Sequence, residues 1–196
     1  MATTTPSTTT NDLASVISKS HSAANVRVIK DFAVFLLTDT TNLPTGTSWT
    51  PPSGVTPVGW ATDKGLTLSL KAGSTADIKG HDGGVVKSLT APGNFTLKIP
   101  AMESRKSVAD AYFGVTVEDG VIKSNGEAGG TYQVVVAGID EDGKPVVIVL
   151  RDATVTDRDD ITLVGGSAIV MGITLTAHTP SDGGTQLAVY GLTVAD

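Results

Sequence analysis

Apolar and polar positions alternate along most of this chain, and the period is that of a strand. Val26, Val28, Phe32, Val34 and Leu36 fall in broken alternation and predict one or two strands. Leu66, Leu68 and Leu70 share a face, as do Ala76 and Ile78, and Val85-Val86 lead to Leu89. Phe95, Leu97 and Ile99 alternate in turn. With turns read at 71–74, at the "HDGG" of 81–84 and at "TAPGN", residues 65–99 predict a meander of about four strands with one apolar face. Thr67, Ser69, Lys71, Thr96 and Lys98 fall on its other face.

The period then changes. Pro100 is expected to end the strand, and about 101–113 predicts the one helix. Ser104 is its expected N-cap, Val108, Ala111 and Tyr112 its apolar stripe, and Gly114 its stop. Beyond it the strand pattern returns. "TYQVVVAGI" and "PVVIVLRDATV" flank "DEDGK" as a hairpin. "DITLVGG" and "SAIVMGITLTA" predict a second pair, with Ile169, Met171, Ile173 and Leu175 alternating, and "TQLAVYGLTVA" a last strand. Short strands with Gly-rich turns predict a mainly β protein, a β-sandwich or partly open barrel with one flanking helix.

Two stretches fit no strand. Residues 1–22 are Thr-rich, with Leu13, Val16 and Ile17 on one face of a possible two-turn helix. So short a helix is marginal without a surface to dock on. Residues 1–22 therefore read as an N-terminal arm and 23–196 as a single domain. The segment 38–60 holds Pro44, Pro51, Pro52, Pro57 and both tryptophans, Trp49 and Trp60. A disordered linker rarely spends tryptophan, so this loop is expected to lie on a surface, its own or a neighbour's.

Composition narrows the function. There is no cysteine among the 196 residues, which excludes disulfides and thiolate metal sites. Residues 118–160 hold ten acids against four bases and so carry the whole net charge of −6. An acidic surface does not grip nucleic acid, because that affinity rests on neutralising phosphates. "MATTTPSTTT" has neither a basic start nor an apolar core, so no leader is expected, and no apolar run is long enough to span a bilayer.

Candidate chemistry is thin. "GGSAI" lacks the second glycine of a nucleophile elbow. His21, His81 and His178 lie far apart. "DEDGK" is a fragment of a calcium loop without its closing glutamate. No phosphate loop or dinucleotide fingerprint is present, and no cofactor or catalytic residue is expected.

A resemblance is carried by "PVGWATDKG" followed by "GLTLSLKAGSTADIKGHDGGVVKSLTAPGNFTLKIPAMESRKSVADAYFG". Trp60 sits in a "GW..DKG" lead-in to a strand, an Ile-Lys precedes a Gly-rich break, and a "V-V-K" restart follows. Then come an "F-T-L-K-I-P" strand and a Glu-Ser helix running to "AYFG". Over about residues 55–115 this order resembles the major tail tube proteins of long-tailed bacteriophages, with His81 where an aromatic residue is more usual. The resemblance implies rings of six copies stacked into a tube in the phage tail, assembled in the host cytoplasm. It implies tape measure, terminator and tip proteins as partners, DNA passing through the lumen unbound, and no membrane.

On that reading the acidic segment supplies candidate lining residues: Glu118, Asp119, Asp140, Asp142, Asp152, Asp157 and Asp159. Leu13, Val16, Ile17, Trp49, Trp60 and His81 are the candidate contacts between copies. Two alternatives stand beside it. One is a β-sandwich surface or carbohydrate-binding module using Trp49 and Trp60 as a stacking platform. The other is a metal-assisted enzyme built on Asp157–Asp160.

Overall fold

The structure, a computed structural model, describes residues 25–193. Nine strands and one helix follow in the order β1 (Ile29–Leu37), β2 (Thr67–Lys71), β3 (Thr75–Lys79), β4 (Val85–Thr90), β5 (Asn94–Ala101), α1 (Lys106–Phe113), β6 (Thr131–Asp140), β7 (Pro145–Arg158), β8 (Met171–Ala177) and β9 (Leu187–Tyr190). All pairings are antiparallel. The main sheet runs β1-β6-β7-β8-β5-β2, with β9 also on β7, while β3 and β4 pair only with each other. The sheet does not close into a barrel.

The fold turns on β7. Its first half pairs with β9 up to Leu150 and with β6 as far as Thr154, and its second half pairs with β8 from Ala153 onward. Between them Asp152 adopts a left-handed φ of 48°, which an aspartate tolerates better than most residues. The strand thereby leaves one layer (β1, β6, β9) and enters the other (β8, β5, β2). Buried Gln133 fixes the bend: its Oε1 accepts the Asp152 N–H at 3.1 Å and its Nε2 donates to Asp152 Oδ1 at 2.8 Å.

The main core lies between the layers. Val34, Leu36, Val134, Val136 and Leu150 meet Leu97, Ile99, Ile173, Leu175 and Ala153. Val108 and Ala111 of α1 join them, the helix packing on β8 and β7. A second cluster covers the outside of the first layer, where Phe35, Leu37, Val135, Val147 and Val149 receive Leu43, Trp49 and Val55 from the long loop. Strands β1, β6 and the first half of β7 are thus apolar on both faces, which is why "FAVFLL" and "PVVIVL" read as continuous runs.

Three local expectations change. β5 runs through Pro100 to Ala101, with Pro100 opposite Gly172. The helix begins at Lys106 with Arg105 at the N-cap and no side-chain cap bond, so Ser104 does not cap it; Gly114 ends it as expected, in the left-handed region with its N–H on Asp110 O at 3.0 Å. Residues 159–170 form no strand: β8 begins only at Met171, and Leu163, Val164 and Ile169 lie exposed in the β7–β8 loop.

The largest change concerns 65–99. The chain does not reverse at 71–74. β2 on β5 and β3 on β4 form one long hairpin, interrupted midway where 72–74 faces 91–93. Glycine is required at that crossing. A Cβ on Gly73 would lie 2.0 Å from Ala91 O, and one on Gly93 would lie 2.3 Å from Lys71 O. The turn at the tip forms where "HDGG" predicts it, with Gly80 N–H on Gly84 O at 2.8 Å and Gly84 N–H on Asp82 Oδ1 at 3.0 Å.

Candidate functional site

The chemistry-bearing features of this chain are surfaces and edges, and three of them stand out. The first is the layer β7–β8–β5–β2. One face is the core. The other presents Thr156 and Asp157 of β7, Thr174 and Thr176 of β8, Lys98 of β5, and Thr67 and Ser69 of β2. Thr156 and Thr176 hydroxyls bond at 2.8 Å, Thr154 reaches His178 Nε2 at 2.8 Å, and Lys98 Nζ pairs with Asp159 at 2.7 Å. The face is hydroxyl-rich with charges of both signs. Its borders are open: among the described residues β2 has no strand beyond it, and β7 from Val155 to Arg158 pairs only with β8. Unpaired strand edges are templates for a further strand.

The second feature is the outer hairpin. Every residue of β2, β3 and β4 is exposed. Ala76, Ile78 and Leu89 share a face, Leu70 is 62% exposed and Val86 73%. Beyond the Gly73 crossing the ribbon projects roughly 30 Å, at ~3.3 Å per residue. A two-stranded ribbon standing alone is marginal in water, so this one is built to rest on something. His81 lies exposed at its tip.

The third feature lies at the end of the domain where β2 begins, opposite the end from which the hairpin leaves. Leu66, Phe32, Val136, Val146, Ile148 and Leu192 border an apolar recess of about 360 Å³. Beside it on the same end of the layer is the 159–170 loop, with Leu163 76% exposed. The strap 58–62 runs across from β1 to β5: Val58 N–H bonds Val34 O at 2.7 Å, Thr62 N–H bonds Pro100 O at 3.0 Å, and Ala61 bridges Ala101. Trp60 sits on this strap with its side chain 77% exposed. Glu103 holds it, accepting the Trp60 N–H at 2.8 Å and Arg105 Nε at 2.6 Å, while Met102 N–H bonds Trp60 O at 2.8 Å. The Arg105 bond first, and then the Trp60 N–H, lower the pKa of Glu103.

The predicted acids do not form one surface. Glu118 and Asp119 occupy a tight turn between α1 and β6, with Asp119 at a φ of 51°. Asp142 is in the β6–β7 turn, exposed beside Lys144 at 3.3 Å. Asp157 lies near the other end of the bent β7 and Asp159 just past it, where the Lys98 ammonium neutralises Asp159. Asp152 belongs to the bend. Asp140, read from the sequence as a lining carboxylate, is instead 2% exposed: it pairs with Arg27 at 3.0 Å and accepts the Lys144 N–H at 2.6 Å. Arg27 also donates to Gly191 O at 3.0 Å, so this buried pair ties the start of β1 to the end of β9. Sequence patterning cannot separate a structural carboxylate from a solvated one when both stand in "DEDGK".

The predicted contact residues also divide. Leu13, Val16 and Ile17 lie outside the described residues. Trp49 is turned inward on its own domain, edge-on to Phe35 with centroids 5.3 Å apart and its indole N–H on Asn42 O at 2.7 Å. Trp60 and His81 point outward. The two tryptophans therefore share no platform. Reasoning from sequence missed Glu103, the Leu163–Val164 loop and Gln133. Only the first left a trace, in the "MES" that follows "KIPA".

No family model and no curated protein matches the chain. Solved structures that the chain loosely resembles include a chain of the anti-feeding prophage baseplate determined with sixfold symmetry. It is 14% identical, covers 83% of this chain and 94% of its own, and has a TM-score of 0.42. A chain of the sheath-tube complex of an extracellular contractile injection system in its extended state is 11% identical, with coverage of 89% and 100% and a TM-score of 0.41. An Hcp protein is 13% identical, with coverage of 81% and 96% and a TM-score of 0.29. TM-scores of this size describe a loose likeness of outline. Among the described residues no cluster of acidic or histidine side chains is arranged to hold a metal ion, and no helix is long and apolar enough to cross a membrane.

Proposed function

We propose that this protein is a structural subunit that completes its sheet with copies of itself, forming closed rings that stack into a tube of the phage-tail kind. The observation that carries this reading is the four-stranded layer β7–β8–β5–β2, polar on its outer face and open along both borders. Its strands alternate in direction. Because their number is even, the first and last run oppositely. Rotation about an axis along the strands preserves each direction, so β7 of one copy meets β2 of the next antiparallel. A head-to-tail contact of this kind closes a ring when the rotation divides the circle. Six copies is the number that the sequence resemblance implies.

Stacking uses the ends of the domain. The apolar hairpin leaves one end, while the Leu66 recess, the Leu163 loop and Trp60 occupy the other. A protrusion and a receptor at opposite ends make an axial contact that repeats without closing, which is a fibre. The lumen face on this reading is the hydroxyl-rich face. Asp157 lies on it, and Glu118, Asp119 and Asp142 lie away from it. Threonine hydroxyls beside balanced charges offer DNA no basic track to hold it, which suits passage through the lumen. Tape measure, terminator and tip proteins are the partners that this role requires, and the tail of a virion assembled in a host cell is the place.

The cysteine-free chain allows a direct test. Ser69→Cys on β2 and Thr156→Cys on β7, combined in one chain, should give a ladder of disulfide-linked multimers on oxidation. Either substitution alone should give no species beyond a dimer. Absence of a ladder from the double variant under conditions of assembly would refute the strand-to-strand closure.

A further inference from the structure

A groove on the outside of the first layer is unexplained by ring closure or stacking. Its floor is made of small residues, the cross-strand pair Ala33 and Ala137 with Gly138 beside them, and so lies low between taller neighbours. Trp49, Thr47 and Pro51 wall one side, Ile139 and Pro145 stand at one end, and Phe35 and Val147 complete it. The groove holds about 380 Å³. Asp31 is the one charged residue bordering it.

We infer that this groove receives residues 13–17 of the same chain, with Leu13, Val16 and Ile17 as the apolar anchors. Where the chain enters the fold supports this. Val28 O accepts the Glu141 N–H at 3.0 Å, and Ile29 stands opposite Asp140, next to the Asp31–Ile139 rung that borders the groove. The chain thus enters the fold at Val28–Ile29, by the Ile139 end of the groove. Residues 18–27 between the anchors and that point span up to ~34 Å when extended, at ~3.4 Å per residue. The groove follows β1 from Asp31 to Phe35, a length of roughly 14 Å. The chain can therefore turn back and lie along it. Charge agrees as well as length. Lys19 is the only charged residue between Asp12 and Arg27, and Asp31 is the one charged residue at the groove. Two turns of helix gain from the groove the apolar partner they lack alone.

The test uses the full-length chain, diluted until it is monomeric, so it reads the same whether or not tubes form. In a Ser18→Cys, Thr47→Cys variant a short thiol cross-linker should join the two positions within one chain, a change of mobility without a change of mass class. Cross-links formed only between chains, or none, overturn the inference. A second readout does not depend on the cysteines. With Trp60→Phe as background, Trp49 reports the groove alone. Adding Val16→Asp and Ile17→Asp should shift its emission to the red and increase its quenching by acrylamide. Unchanged emission and quenching would also overturn the inference.

Discussion

Glu103 and Trp60 are joined across 43 positions of sequence, the carboxylate accepting the Trp60 backbone N–H at 2.8 Å. The bond holds the strap 58–62 against the end of β5 and leaves the indole outside. It links two parts of the stretch that resembles tail tube proteins, "GW" and "MES", which sequence alone presents as separate signatures. Glu103→Ala should leave the core intact and loosen the strap, seen as faster amide exchange at Trp60 and Met102. The depressed pKa of Glu103 gives the bond a direction in pH. A carboxylate with a lowered folded-state pKa stabilises above its unfolded value and loses that contribution as pH falls through the folded one. The strap's protection should therefore be constant at neutral pH and fall below the ordinary carboxylate range. Exchange at Trp60 insensitive to acid would contradict the assignment.

Arg27 and Asp140 form a buried pair whose loss leaves one charge without a partner. Asp140→Ala should cost about 3–5 kcal/mol in denaturant unfolding, as removal of one member of a buried pair does. Charge reversal at Asp142, which is exposed beside Lys144, should change stability by no more than about 0.5 kcal/mol. Equal effects at the two positions would show that the turn is not divided into a buried and an open acid.

Gln133 sets the bend of β7. Gln133→Ala strands the Asp152 N–H and should cost about 1–3 kcal/mol. Asp152→Gly, which removes the side chain but relieves the left-handed φ, should cost less than Gln133→Ala. A larger loss from the glycine variant would place the stabilisation in the aspartate rather than in the bend.

The hairpin should matter to assembly and not to folding. Val86→Lys with Leu89→Lys replaces exposed residues and should change monomer stability by no more than about 0.5 kcal/mol per site. It should leave rings intact and stop them stacking, as read by sedimentation. A variant that stacks normally would move the axial contact elsewhere. Gly73→Ala should act similarly by forcing the ribbon to shift at its crossing.

Much of the fold is legible in the sequence because burial and alternation coincide there. "TYQVVVAGI", "DEDGK" and "PVVIVLRDATV" become β6, its turn and β7, and Gly114 ends the helix. The departures at 65–90 and 159–170 share one cause. Alternating apolar residues predict a face against this domain's own core. In the hairpin Leu70, Ile78 and Leu89 alternate just as Leu97 and Ile99 do, yet they are exposed. "DITLVGG" reads as a strand, yet Leu163 and Val164 stand in the open. Alternation reports that a residue will be covered, not by which molecule. The bend at Asp152 was illegible for another reason, since it depends on a glutamine nineteen positions away. Reading the acids as a group failed because net charge along the sequence carries no information about which end of a bent strand each residue occupies.

Electron microscopy of the purified protein, concentrated across a range of salt and crowding conditions, tests the central claim most directly. The account predicts rings of uniform diameter and tubes made by stacking them. A chain that stays monomeric in every condition, with the borders of β2 and β7 still protected from amide exchange, would contradict it.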